Sequence, residues 1–171
     1  KDMNVPFRIE QRESFRVIGY CLHTTNKRKK GRKEIPLLWN EFKEKDFQST
    51  LMPMMNQEPF GLFGISVYNT YEDDSHKFDY YIAVSSHMTI DNELDSYIVP
   101  AMTWAVFPCT IETIGKTEVQ AITKWLPKSR YKPLNSGYIT GRMKSGAPDI
   151  QYYGQDGIVE IWIGVYRCLR E

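Results

Sequence analysis

Ile158-Val-Glu-Ile-Trp-Ile-Gly-Val-Tyr166 carries two kinds of side chain in alternation. Read with period two, one face is Val159, Ile161, Ile163 and Val165, all β-branched, which suits a strand packed under helices. The other face is Ile158, Glu160, Trp162, Gly164 and Tyr166. Upstream, Ile150-Gln-Tyr-Tyr153 reads as a partner strand, and Gly154-Gln-Asp-Gly157 joins the two through an Asp-Gly step suited to a tight hairpin. Before that hairpin, Met102 to Phe107 reads as a strand. Thr113 to Trp125 reads as a helix, with Val119, Ile122 and Leu126 at helical spacing and Leu126-Pro127 as its stop. The order is strand, helix, strand, strand.

The first half of the chain has the same order. Phe15 to Leu22 is a strand rich in β-branched and aromatic residues, and a basic loop, Lys27 to Lys33, follows it. Ile35 to Lys45 is a helix with Ile35, Leu38, Trp39 and Phe42 on one face and Pro36 at its first position. Gly61 to Tyr68 and Phe78 to Ser85 are strands on either side of a polar loop. Two strand-helix-strand-strand modules in tandem predict an α+β fold with pseudo-twofold symmetry and an antiparallel sheet carrying its helices on one side. The expected organisation is one domain over 1–171, with module one at about 5–88 and module two at about 97–170.

Composition narrows the function classes. The chain has 171 residues, 42% hydrophobic and 25% charged, enough for a sizeable core. Its 22 basic and 21 acidic residues leave a net charge of +1, without the basic excess of a dedicated nucleic-acid binder. No apolar run approaches the roughly 18–20 residues of a membrane span, and no signal peptide opens the chain. Cys21, Cys109 and Cys168 form no C-x-x-C pair and read as free thiols in a reducing compartment, the cytoplasm. The chain opens on Lys1 rather than Met, as a fragment or processed product would.

Glu160 lies on the same strand face as Trp162 and Gly164. A carboxylate among aromatics is costly to desolvate and calls for a cation, hydroxyl donors or a raised pKa. A cavity for lipophilic cations supplies such a partner, with cation–π attraction from the rings. A solvated face with Glu160 as an ordinary surface carboxylate fits the same alternation. The same parity groups Tyr68 with Gly64 and Ser66, Tyr81 with Ala83 and Ser85, and Gln151 with Tyr153. Small residues beside single aromatics leave the space a pocket requires.

These residues also resemble a known family. Phe15-Arg-Val-Ile-Gly-Tyr20, Ile35-Pro-Leu-Leu-Trp-Asn-Glu-Phe42, Ile98 to Cys109, Lys124-Trp-Leu-Pro-Lys-Ser129, Pro148-Asp-Ile-Gln-Tyr-Tyr153 and Val159-Glu-Ile-Trp-Ile163 resemble, in order, the AraC-type effector-binding or GyrI-like domain. The resemblance implies a central small-molecule cavity, and a place at the C-terminal end of AraC- or MerR-type transcription regulators that sense hydrophobic, often cationic compounds. It implies that DNA is reached only through a separate N-terminal domain. Stand-alone relatives imply two alternatives, a hydrolase of strained xenobiotics or a gyrase-binding protein. On the resemblance Glu160 matches the family's acidic position and Trp162 its aromatic. Gln151 stands where many relatives carry a second glutamate. The expected ligand set is Glu160, Trp162, Tyr68, Tyr81, Tyr153, Gln151 and Trp104, with no catalytic residue and no cofactor.

Other constellations read as structural. The basic run at 27–33 is offset by Glu72-Asp-Asp74. His23, His76 and His87 show no metal-ligand spacing with cysteine or with one another. Asp91 to Asp95 lacks the glycine and final acid of a calcium loop and reads as a turn. No phosphate-binding or dinucleotide fingerprint occurs.

Overall fold

The fold, described from a computed structural model, covers residues 6–90 and 93–169. Lys1, Asp91 and the outer module limits at 5 and 170 lie outside the described residues. The strands are β1 (Arg8–Arg12), β2 (Phe15–Thr25), β3 (Leu62–Tyr68), β4 (Lys77–Ser85), β5 (Asp95–Val99), β6 (Met102–Cys109), β7 (Tyr131–Pro133), β8 (Asp149–Tyr153) and β9 (Val159–Arg167). The helices are α1 (Lys30–Glu44), α2 (Phe47–Leu51) and α3 (Ile114–Gln120), the last running on into a π-helical turn, Ala121–Trp125. All strand pairs are antiparallel, in the order β1-β6-β9-β8-β3-β4-β2-β5, with β7 on the end of β9.

The tandem modules are β2-α1-β3-β4 and β6-α3-β8-β9. Their strands enter the sheet as β6-β9-β8 and, mirrored in order, β3-β4-β2. The pseudo-twofold therefore runs between β3 and β8, where Gly64 pairs with Gln151 and Ser66 with Asp149. β1 and β5 add one edge strand to each side.

Two details of the first helix differ from expectation. It begins at Lys30, so the second half of the basic run is its first turn rather than loop, because lysine and arginine are good helix formers. Pro36 is consequently interior, not first, and the helix carries on through it. Asp156 and Gly157 both take positive φ in the last hairpin (59° and 76°), the geometry that Asp-Gly favours.

Helices cover one sheet face in two separate patches. α1 and α2 pack Phe42 and Leu51 onto Ile18, Phe78, Tyr80, Ile82 and Val84. The α3 segment packs Ala121 and Leu126 onto Ala105, Phe107, Ile161, Ile163 and Val165. The opposite face closes on itself. Phe15 of β2 meets Trp162 of β9 edge-on with ring centroids 6.5 Å apart, although four strand spacings separate them in the sheet order, about 19 Å if the sheet were flat. The sheet is rolled, and Val17, Phe63, Ile65, Trp104, Val106 and Trp162 fill the inside of the roll as a solid core. Among the described residues no helix is long and apolar enough to cross a membrane.

Candidate functional site

Two helices placed apart on one sheet face leave a groove between them, and the pseudo-twofold runs through it. The groove is a cleft of about 430 Å³, within the range of about 300–1,000 Å³ usual for small-molecule sites. β3 gives its floor Gly64, Ser66 and Tyr68, β8 gives Asp149 and Gln151, and β9 gives Ile161 and Ile163. Glu118, Val119 and Ile122 form the α3 wall, and Arg32 stands on the α1 side. Tyr138 and Ile139, from the loop between β7 and β8, close over the top.

That loop is held down by polar contacts. Asn135 shapes its neck, donating to Ala147 O at 2.9 Å and accepting from Ser145 N at 2.8 Å. Asn26 Nδ2 donates to Gly141 O at 3.0 Å, and Arg142 Nε to Ser75 Oγ at 3.1 Å, so the loop is anchored to module one. From inside, the Tyr138 hydroxyl donates to Asp149 Oδ1 at 3.0 Å.

A chain of hydrogen bonds crosses the floor. Trp39 Nε1 on α1 donates to the Tyr80 hydroxyl at 2.9 Å, which donates to Gln151 Oε1 at 3.2 Å, and Gln151 Nε2 donates to Glu118 Oε2 at 3.2 Å. Gly64 makes this route possible. A Cβ there would sit 2.2 Å from the Tyr80 hydroxyl and 3.1 Å from Gln151 Oε1.

Electrostatically the cleft has two acids in aliphatic surroundings. Burial pushes the Asp149 carboxyl up to about 7, the Tyr138 and Tyr68 hydroxyls opposing this and the Glu118 charge adding to it. Burial likewise raises Glu118, with Gln151 opposing. Arg32 provides a cation at the mouth. Val119 and Ile139 remain 61% and 95% exposed at the rim, an apolar lip open to solvent.

The sequence-derived ligand set divides across the sheet. Tyr68 and Gln151 line the cleft. Tyr153 shares the β8 face of Gln151, beside the cleft, and packs edge-on against Trp39 at 5.5 Å. Glu160, Trp162, Trp104 and Tyr81 lie on the other face, outside this cleft. Trp104, Trp162 and Tyr81 belong to the solid core. Glu160, 8% exposed, accepts from Trp162 Nε1 at 3.0 Å and from Arg8 Nη2 at 2.9 Å. Arg12 lies over the Trp162 ring at 4.7 Å. The cation that Glu160 calls for is therefore supplied by β1. The cleft lies between the helices, on the Ile161 and Ile163 side of β9. Its walls are consequently more aliphatic than aromatic.

Asp149, Glu118, Tyr138 and Arg32 escaped the sequence reading. Asp149 precedes the expected start of its strand by one residue, and the same parity that joins Gln151 to Tyr153 extends to it. Glu118 stands one turn before Ile122, on the face that looks into the cleft. Tyr138 sits in a loop, where no periodicity marks it.

A family model for the GyrI-like small molecule binding domain matches residues 6–165. The chain belongs to that family. No curated protein matches it. Among solved structures, that of SAV2435 bound to tetraphenylphosphonium superposes with a TM-score of 0.72 at 17% identity, covering 94% of this chain and 93% of that one. A putative bacterial transcription regulation protein from Staphylococcus aureus MU50 gives 0.68 at 17% identity, covering 93% and 97%. The EcmrR C-terminal domain gives 0.55 at 11% identity, covering 96% and 99%. At these identities the likeness is one of fold. As a GyrI-like domain, this chain presents its cleft between the two modules, with Asp149 and Glu118 inside it.

Proposed function

We propose that the cleft between α1 and α3 is an effector site for lipophilic cations, and that the protein senses such compounds without transforming them. The observation that carries this reading is the pair Asp149 and Glu118 in a cavity whose apolar walls are Val119, Ile122, Ile139, Ile161 and Ile163, with Arg32, exposed on the α1 side, as its basic lining residue. A buried carboxyl beside another acid is poorly solvated, and a positive ligand relieves both the desolvation and the mutual repulsion. Tyr68 and Tyr138 add ring faces and hydroxyls. A fold neighbour was solved with tetraphenylphosphonium bound, which supports a ligand of this class.

In this reading the domain is the sensing part of a bacterial transcription regulator, in keeping with the putative transcription regulation protein among its fold neighbours. DNA contact belongs to a separate domain. The three free cysteines suit the cytosol.

Calorimetric titration with tetraphenylphosphonium, and in parallel with neutral triphenylphosphine oxide, tests the proposal. Saturable binding of the cation, at least tenfold tighter than the neutral compound, is expected. Equal affinity for both would reject the charge preference. The Asp149 carboxyl near neutrality beside Tyr138 also suits general acid–base work, so a hydrolase is the competing reading. Mass analysis of bound compounds after prolonged incubation separates the two, because a sensor returns its ligand unchanged.

A further inference from the structure

On the sheet face opposite the cleft, β2 and β4 bring together three residues of different ligating chemistry. Cys21 and His23 are two apart on β2 and so point to the same side, and His23 pairs directly across the ladder with Asp79 of β4. One donor atom from each, the Cys21 sulfur, a His23 ring nitrogen and an Asp79 oxygen, lies within 4.8 Å of the other two. His23 Nδ1 is 2.6 Å from Asp79 Oδ1. The Tyr71 hydroxyl donates to Asp79 Oδ1 at 2.6 Å and stands 2.9 Å from His23 Nδ1.

We infer that Cys21, His23 and Asp79 form a zinc-type metal site on the outer end of this sheet face. A thiolate, an imidazole and a carboxylate are the donor types that zinc accepts, whereas calcium and magnesium take oxygen alone. Tetrahedral zinc, with bonds of about 2.0–2.3 Å, sets its ligand atoms roughly 3.2–3.6 Å apart. The cluster reaches that spacing by opening the His23–Asp79 contact and drawing the sulfur inward by up to about 1 Å, through side-chain rotation. The His23 side chain is 70% exposed and free to turn, while Asp79 at 15% is fixed by the ladder and by Tyr71. Tyr71, donating to a ligand carboxylate, acts as an orienting partner of the kind metal sites use. Water takes the fourth position.

The charges around the cluster favour a cation. Asp79 is joined by Asp95 near Cys21 and by Asp73 near Tyr71. The neighbouring ammonium, Lys77, lies 5.5 Å from the Tyr71 ring centroid and pairs with Asp73 at 3.5 Å. On binding, a sulfur–metal bond replaces the sulfur–hydrogen bond of Cys21, and that proton leaves to solvent. His23 contributes the lone pair of an unprotonated nitrogen and Asp79 an ionised oxygen, with no change of oxidation state. A strand carries this set at a spacing of two residues, which is why motifs built on turns and helices miss it.

Cobalt(II) titration followed by absorption tests the inference, since a thiolate-bound cobalt gives an intense sulfur-to-metal charge-transfer band. One cobalt per chain is expected, with one proton released and displacement by zinc. Cys21→Ser should abolish the band, and Asp79→Asn and His23→Gln should each weaken binding by tenfold or more. The double variant Cys109→Ser, Cys168→Ser should keep the band. Metal-free thermal midpoints check folding, and should Cys21→Ser fail to fold, the other two ligand variants decide. Absence of the band, its persistence in Cys21→Ser, or unchanged affinity in Asp79→Asn and His23→Gln would each overturn the site and leave the cluster a surface hydrogen-bond triad.

Discussion

The Tyr138 hydroxyl, carried on a loop, reaches into the cleft and donates to Asp149 Oδ1 at 3.0 Å. This bond couples the cover of the cleft to the charge state of its floor. Burial holds the Asp149 carboxyl at about 7, and Tyr138 works against that rise. A ligand cation prefers the ionised carboxylate. Affinity for tetraphenylphosphonium is therefore expected to increase as pH rises through about 7 and to level off above it, falling by at most about tenfold per unit on the acid side. In Tyr138→Phe the carboxyl loses a donor, so the midpoint should move to higher pH. Binding isotherms between mildly acidic and mildly basic pH check both statements, and a flat profile would contradict them.

The same shift carries a cost for the unliganded fold. Below pH 3.8, the ordinary Asp value, folded and unfolded chains both keep this proton. From there to about 7 the unfolded chain alone gives it up, so this group's contribution to stability declines across that window as pH rises. Asp149→Asn removes the titration. The variant should equal or exceed the parent in denaturant midpoint at pH 8, with the difference shrinking toward pH 4, while its cation binding is lost. Stability gained where function is lost is the usual mark of a strained binding group.

Gly64 is bare because the Tyr80 hydroxyl occupies the space above it. Gly64→Ala should push Tyr80 aside, break the chain from Trp39 to Gln151 and cost about 1–3 kcal/mol by overpacking. Ligand affinity should drop with it. Chemical denaturation together with a binding titration reads both, and an unperturbed protein would show that the floor is softer than described.

Much of the fold was legible in the sequence, for reasons visible in particular segments. Of the β-branched face, Ile161, Ile163 and Val165 do pack under helix, and the Asp-Gly turn does close the last hairpin. The short edge strands β1, β5 and β7 were not foreseen, because five residues or fewer carry little periodicity and their partners lie far off in sequence. The site was half legible. Parity correctly put Gly64, Ser66 and Tyr68 on one face and Gln151 with Tyr153 on another, and these do meet at the β3–β8 pairing. Parity alone does not say which face of β9 is hollow. A carboxylate among aromatics reads equally as a ligand's partner and as the partner of Arg8, and Arg8 lies on a strand that the pattern did not reveal.

The most direct test is a side-by-side calorimetric titration of tetraphenylphosphonium into Asp149→Asn and Glu160→Gln at pH 8. Asp149→Asn is expected to lose tenfold or more in affinity, about 1.4 kcal/mol or above. Glu160→Gln should bind like the parent and instead unfold more easily, by about 1–3 kcal/mol, for want of its charge-assisted bond to Arg8. Undiminished binding in Asp149→Asn together with loss in Glu160→Gln would contradict the cleft as the site and place the ligand on the other side of the sheet.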